Sequence, residues 1–419
     1  MRDTHVLRLD QPAYALAFRL IAAALSFGFG IAAARMLGVE RFGLASVLLG
    51  IVNVGVVFAL LGHETLATRQ VATLGARAVN IYRRSAVRQS WLAGLVVLVL
   101  TALVVALLPL GAQAGTALLA LLVLIPLITR TRLSQGLIRG AHRASLSLIP
   151  DGIARPGLAI IFLLTLSLAG HTGNAAFVLT MVLSAVLALI YGIVLERRTL
   201  AGHAVSGAKE SVAKGFSSAI FFSSILAVLV SQLALIATGA LSSAADAGRY
   251  AAAERYALAA GLVGQAVYLA VASRLAAHHV RGEAGQLRAL VRKVTRGVSA
   301  ATLLLCVIVA LAAQPLLGIY GNGFAEAEPV LHILLASVFI NAFAGPTGQL
   351  LLMTRHEQDH LRAMFVSLVV QAALIAVLVP VYSLVGVAWA VLISTLIWNG
   401  LMMYFIRRRL TMNPLLIWA

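Results

Sequence analysis

The sequence is dominated by runs of about 20 apolar residues, the length an α-helix needs to cross the hydrocarbon core of a bilayer. Twelve such runs lie near residues 14–36, 43–62, 89–109, 114–134, 153–170, 174–195, 216–240, 249–272, 298–318, 328–352, 362–381 and 384–406. They are apolar on every face, unlike the striped surface helices of soluble domains. Membrane β-strands would be about half as long and would alternate polar with apolar residues. The chain is 61% hydrophobic and 11% charged, against about 45–50% and about 25% in soluble domains. A soluble enzyme, a nucleic-acid factor and a disordered scaffold are thereby excluded, and no nucleic-acid partner is expected. The fold class is an all-α polytopic membrane protein with about 12 transmembrane helices.

The formal net charge of +18 is explained by topology. All but five of the 32 basic residues (Arg19, Arg35, Arg41, Arg249 and Arg255) fall on one alternating set of segments. These are the N-terminus with Arg2 and Arg8, the connections around 69–88, 130–155, 197–214, 274–296 and 355–362, and the tail at 407–409. The opposite connections hold Glu40, Asp246, Glu326 and Glu328. The positive-inside rule then places both termini in the cytoplasm. The basic runs Arg69–Arg88 and Arg274–Arg296 are expected to bind anionic membrane lipids. Ala32-Ala33-Ala34 loosely resembles a signal-peptidase site, but Arg19 interrupts the apolar run, so the first span reads as an uncleaved anchor. Cys306 is the single cysteine, and no Cys/His cluster has metal-ligand spacing. The Gly-x-x-x-x-Gly-Lys-Ser/Thr phosphate loop is missing too. No metal or nucleotide cofactor is expected.

Two stretches recur about half a chain apart. Leu37-Gly-Val-Glu-Arg-Phe-Gly43 is echoed by Leu241-Ser-Ser-Ala-Ala-Asp-Ala-Gly248, and Gln135-Gly-Leu-Ile-Arg-Gly-Ala-His142 by Gln349-Leu-Leu-Leu-Met-Thr-Arg-His356. Both echoes divide the chain into two six-span halves, residues 1–200 and 201–419. Six is even, so the halves enter the membrane in the same orientation, as in transporters built from parallel repeats, which bind substrate between the halves.

Ala34-Arg-Met-Leu-Gly-Val-Glu-Arg-Phe-Gly-Leu44, with Gly62 and Arg69-Gln-Val, resembles the opening of polysaccharide-biosynthesis flippases. Ala245-Asp-Ala-Gly-Arg-Tyr-Ala-Ala-Ala-Glu-Arg-Tyr256, Tyr320-Gly-Asn-Gly-Phe-Ala-Glu-Ala-Glu-Pro-Val-Leu331 and Asn341-Ala-Phe-Ala-Gly-Pro-Thr-Gly-Gln-Leu-Leu-Leu352 extend the likeness over roughly residues 14–410. The family is the Wzx-type O-antigen and exopolysaccharide flippases, in the superfamily of the multidrug/toxin-extrusion (MATE) exporters and lipid II flippases. The resemblance implies two six-helix lobes in a V around a central cavity. It implies an inner-membrane transporter, not an enzyme, that moves an undecaprenyl-pyrophosphate-linked oligosaccharide from the cytoplasmic to the periplasmic leaflet by alternating access. Coupling would come from H+, Na+ or the membrane potential. The implied partners are a polysaccharide polymerase and a chain-length regulator, with the flippase acting as a monomer. The lipid II flippases carry two additional helices, for which this chain is too short. A rival of the same fold is an ion-coupled multidrug exporter, which would call for acidic cavity residues. A rival of another class is a membrane polymerase or ligase, which would need longer outward loops.

Several polar residues within the spans can carry this work. Arg19 lies about 10 Å into the first span at about 1.5 Å per residue; it reads either as a cation for the substrate pyrophosphate or as a snorkelling side chain. In the eighth span Arg255 is a second candidate for the pyrophosphate, and Glu254 a candidate carrier of a coupling proton, against a structural ion pair of Glu254 with Arg35 or Arg249. Asn53 and Asn341 read as substrate ligands or as interhelical glue. Ser217, Ser224 and Ser231, with Gln232, form one stripe that either hydrogen-bonds sugar or packs closely. Gly345, Pro346 and Gly348 interrupt the tenth span and read as a hinge.

Overall fold

The structure is a computed structural model that describes residues 12–107, 119–201 and 218–410. Ser217, Lys209, Lys214 and both terminal segments lie outside these ranges. The described residues contain no β-strand, and ten helices among them are long and apolar enough to cross a membrane. The twelve apolar runs fall on these ten because two helices are each merged from two. Helix α1 (Pro12–Leu60) has 49 residues and holds one non-helical residue, Gly38 (φ 76°, ψ 170°). The last helix (Glu357–Leu410) has 54 residues and breaks at Ser383 (φ 46°, ψ −129°). Along a straight helix, residues eight apart stand about 12 Å from each other. Yet a Cβ on Gly386 would collide with the carbonyl of Leu378. The chain therefore folds back on itself at Ser383, and only glycine at 386 permits that approach.

Two compact units form, residues 1–228 and 229–419. In the first, α1 is followed by α2 (His63–Thr73), α3 (Ala76–Leu107), α4 (Leu124–Gly140), α5 (Arg155–Leu168) and α6 (Asn174–Ala201). Helix α4 is the central element: Leu124, Ile125, Leu133, Leu137 and Ile138 are fully buried, and it packs on α1, α2, α3 and α6. Helix α3 instead leaves Leu92, Val99 and Leu103 on the outer surface, as a lipid-facing helix would. Lipid gives no hydrophobic drive for helices to associate, so small residues and interhelical hydrogen bonds do that work. Gly136 and Gly140 let α2 approach α4 so closely that a Cβ at either would meet backbone carbonyls of α2. Thr68 Oγ1 donates to the Gly136 carbonyl at 3.1 Å. At the start of α2, His63 is held by Tyr82 and Gln89 at 3.1 and 2.8 Å. Burial lowers the affinity of His63 for a second proton. The neutral ring then donates from Nε2 to Gln89 Oε1 and accepts the Tyr82 hydroxyl at Nδ1.

Helix α7 (Ser218–Leu241) runs across the boundary at 228. The second unit continues with α8 (Ala244–Val280), α9 (Ala284–Leu311), α10 (Glu328–Ala344), α11 (Thr347–Met353) and α12, the broken helix Glu357–Leu410. Ser243 caps α8 by accepting the Asp246 N–H at 3.0 Å, the first half of a capping box. Leu275, Val291, Leu351, Ala363 and Met402 build a core from α8, α9, α11 and α12. The Gln…His echo marks equivalent helix ends. Helix α4 closes with His142 left-handed (φ 59°) and the Arg143 N–H on the Ile138 carbonyl. Helix α11 closes with Arg355 left-handed (φ 65°) and the His356 N–H on the Leu351 carbonyl. Both are Schellman endings, one residue out of step with the sequence echo.

Candidate functional site

In the second unit the tenth span is broken in two. Helix α10 ends at Ala344, Gly345 takes φ 79° and ψ −166°, and α11 starts at Thr347. Pro346 has no N–H, so the Ala342 carbonyl loses its ordinary helical donor four residues on. Three other groups take it up: the Gly345 N–H at 3.1 Å, Tyr268 Oη at 3.0 Å from α8, and Ser299 Oγ at 3.1 Å from α9. The break is thus a built junction of three helices. Gly345 is confined to glycine twice over, by a backbone conformation closed to other residues and by the Thr295 side chain, which occupies the place of a Cβ. Gly345→Ala is expected to destabilise the protein by several kcal/mol, read as a lowered thermal midpoint in detergent. Removing the clash with Thr295→Ala as well should recover part of the loss, and an unchanged midpoint for Gly345→Ala would contradict the geometry.

Beside this junction a cavity of about 290 Å³ opens among α8, α9, α10 and α12. Gln265, Tyr268, Thr302, Ser337, Asn341 and Trp398 are among its walls. Asn341 is exposed on it and accepts a hydrogen bond from Asn399 at 3.3 Å, so this predicted residue is both glue and cavity wall.

Towards the start of α8, Glu254 and Arg255 have separate partners. Glu254 interacts with the Tyr250 hydroxyl one turn earlier, and Arg255 with the Tyr320 hydroxyl. Tyr320 and Phe324 are fully buried, and Tyr256 donates to the Leu316 carbonyl at 2.5 Å. Arg249 pairs with Asp246 at 3.0 Å and with Glu326, and donates to the Gly323 carbonyl. Its carboxylate partners are therefore Asp246 in the first turn of α8 and Glu326 just before α10, not Glu254. In α7 the Ser224 hydroxyl is spent on its own helix, donating to the Ile220 carbonyl at 2.8 Å, while Gln232 donates to Ser231 at 3.3 Å.

In the first unit Arg19 is exposed on α1 beside exposed Leu20 and Ile21. Asn53 accepts from Arg132 at 3.1 Å, and Arg132 stands 3.9 Å from Asp151, which Arg155 bonds at 2.6 Å. Asp151 and Arg155 wall a second cavity of about 280 Å³ with Ser26 and Phe29. It sits at the π-helical turn Ile149–Ala154, and such turns are frequent at functional sites.

Sequence reasoning missed the charges the fold pulls inward. Glu196 looks like the first residue past the sixth span, but it lies on α6, fully buried. Arg130 bonds it at 2.8 Å, Ser134 at 2.6 Å and Arg83 at 3.4 Å. Asp359 likewise sits inside the second unit between Arg362 and Arg409. Arg139 pairs with Glu64 at 2.5 Å. Thus Arg83, Arg130, Arg132, Arg139 and Arg155, taken from the sequence as orienting charges, are also structural partners. The one available signal was that acids are few, 14 against 32 bases, so each buried acid can recruit more than one arginine. No group of three His, Cys, Asp or Glu with metal-binding geometry exists among the described residues.

This arrangement has solved relatives. The chain superposes on an inward-facing multidrug resistance MATE family transporter of the MOP superfamily with TM-score 0.72 and 14% identity, covering 94% of this chain and 98% of that one. It superposes on the lipid II flippase MurJ, inward closed, with TM-score 0.71 and 12% identity over 97% and 90% of the two chains. A MOP superfamily transporter from Pyrococcus furiosus, reported to have a binding pocket of reverse polarity, gives TM-score 0.63 and 13% identity over 98% and 99%. At such identities the likeness is one of fold, shared with these transporters. No match is found among the curated proteins. The sequence itself matches the polysaccharide biosynthesis protein family over residues 12–273, more than half of its length, and this multi-pass membrane protein belongs to that family.

Proposed function

We propose that the protein is a flippase that carries an undecaprenyl-pyrophosphate-linked oligosaccharide from the cytoplasmic to the periplasmic leaflet of a bacterial inner membrane, with both termini in the cytoplasm. The observation that carries this reading is membership of a polysaccharide biosynthesis family in a chain with ten helices among its described residues long and apolar enough to span a bilayer. Such a chain serves polysaccharide assembly from within the membrane, where the lipid-linked intermediate is. Arg19 and Arg255 would hold the pyrophosphate. The lipid tail stays in the bilayer and the sugar passes through a polar path. Glu254 would carry a coupling proton, with Na+ and the membrane potential as the other sources of drive. A polysaccharide polymerase and a chain-length regulator would receive the product, and anionic lipids would hold the cytoplasmic basic runs.

The MATE relatives raise multidrug export as a second reading. It calls for acids able to meet cationic drugs. Asp151, Glu196 and Asp359 are each bonded to arginine, which weighs against it. Deleting the gene should abolish surface polysaccharide and leave lipid-linked units facing the cytoplasm. Normal arrival of those units in the periplasm would refute the flippase reading, and sensitivity to cationic drugs without a polysaccharide defect would favour the exporter.

A further inference from the structure

We propose that the cavity beside the broken tenth span is a sugar subsite, which takes one uncharged sugar residue of the transported glycan; this rests on the flippase reading above. The cavity lies wholly within the second unit, between α8, α9, α10 and α12. At about 290 Å³ it stands at the small end of ligand sites, which run from about 300 Å³ upward. That suits one ring better than an extended chain.

The chemistry of its walls points to a neutral, hydroxyl-rich ligand. None of the lining residues is charged, so neither a phosphate nor a cation would find a counter-ion there. The polar groups are amides and hydroxyls, which both donate and accept hydrogen bonds as sugar hydroxyls do. Several are uncommitted. Thr302 is fully buried and its Oγ1 has no hydrogen-bond partner. Gln265 is exposed on the cavity and makes no hydrogen bond among the described residues, and the Asn341 amide uses only its oxygen. In a membrane span an unpaired hydroxyl and an unpaired amide both carry a cost, and a sugar would satisfy them. Trp398 supplies an aromatic face against which the C–H side of a sugar ring can lie.

Gly261 and Gly264 line the cavity from the interior of α8, where glycine is about 1 kcal/mol worse than alanine. They let α8 pack closely on its neighbours around the cavity: a Cβ at 264 would stand 3.0 Å from Val298 of α9, and one at 261 would stand 3.3 Å from Val338 of α10. The site also touches the break. Tyr268 lines the cavity and holds the Ala342 carbonyl that Pro346 leaves without its helical donor. An occupant pressing on Tyr268 therefore acts on the junction of α8, α9 and α10.

The test uses the purified protein and two probes, undecaprenyl pyrophosphate bearing a short chain of uncharged sugars and undecaprenyl pyrophosphate without sugar. Binding of each is measured for wild type, Thr302→Val and Gln265→Leu. Thr302→Val keeps the shape of the side chain and removes an unpartnered hydroxyl, so it should fold at least as well as wild type. The expected result is a loss of about three- to tenfold in affinity for the sugar-bearing lipid in each variant, with affinity for the sugarless lipid unchanged. Equal affinity of all three proteins for the sugar-bearing lipid overturns the subsite and leaves the flippase reading standing. If the variants lose both lipids in parallel, the cavity does not read sugar. If wild type binds neither lipid, the flippase reading falls and takes the subsite with it.

Discussion

Glu196→Ala is expected to lower the stability of the protein by about 3–5 kcal/mol, the usual cost of removing one partner from a buried ion pair. Glu196 is fully buried, and Arg130, its closest charged partner, is 3% exposed. Deleting the carboxylate leaves the Arg130 guanidinium without a counter-charge in a low-dielectric interior, and Ser134 Oγ without its acceptor at 2.6 Å. Arg83 is the lesser loss, since its side chain is 27% exposed and its contact is longer at 3.4 Å. The expected result is a sharply lower unfolding midpoint in a detergent series and a reduced folded yield. The double variant Arg130→Met/Glu196→Leu should recover most of it, because paired apolar replacements avoid the desolvation of both charges. A Glu196→Ala protein that unfolds like wild type would show that the pair contributes nothing, and the assignment of this cluster as a structural anchor would be wrong.

The same cluster marks the limit of what could be read from the chain alone. Apolar runs announce spans because a bilayer imposes one length and one polarity on them. Twelve runs were therefore legible, as was the fold-back near Ser383, where two runs abut. Helix-breaking residues were legible for the same reason: Gly345-Pro346 interrupts a span by removing one donor, a local effect written in two adjacent residues. Pairings between distant helices are not local. Nothing in the sequence near Glu196 says that Arg130 lies 66 positions away on a helix packed against it. The rule that basic residues orient loops assigned Arg130 to a connection, when packing had drawn it inside. Asn53 shows the same limit, since its amide oxygen is bonded by Arg132. For the candidate site the polar residue types were legible, but which of them share a cavity was not. Gln265, Thr302, Ser337 and Trp398 gather around Asn341 only when four helices are packed.

On the proposed flippase reading, Arg19→Ala is expected to reduce translocation of a lipid-linked oligosaccharide by about 10- to 100-fold, the effect of losing a charge-assisted hydrogen bond worth about 1.5–3 kcal/mol. Stability should change by less than about 0.5 kcal/mol, as for other exposed substitutions, because Arg19 is exposed on α1. Arg19→Lys should give an intermediate rate: it keeps the charge and loses the planar fork that holds two phosphate oxygens at once. Arg255→Ala should lose both transport and some stability, since its partner Tyr320 is fully buried. Tyr320→Phe separates the two contributions: it removes the hydroxyl that Arg255 meets but leaves the charge. If Arg255 serves only the fold, Tyr320→Phe and Arg255→Ala will lower the unfolding midpoint together and leave the rate per folded molecule unchanged. If Arg255 also meets the pyrophosphate, the rate per folded molecule falls for Arg255→Ala and is preserved for Tyr320→Phe. Normal rates for both arginine variants would remove both from the mechanism. A pyrophosphate-bearing substrate, as proposed, would then have to be met elsewhere, with Arg132 and Arg155 the next arginines to replace, since they stand by the cavity that Asp151 walls.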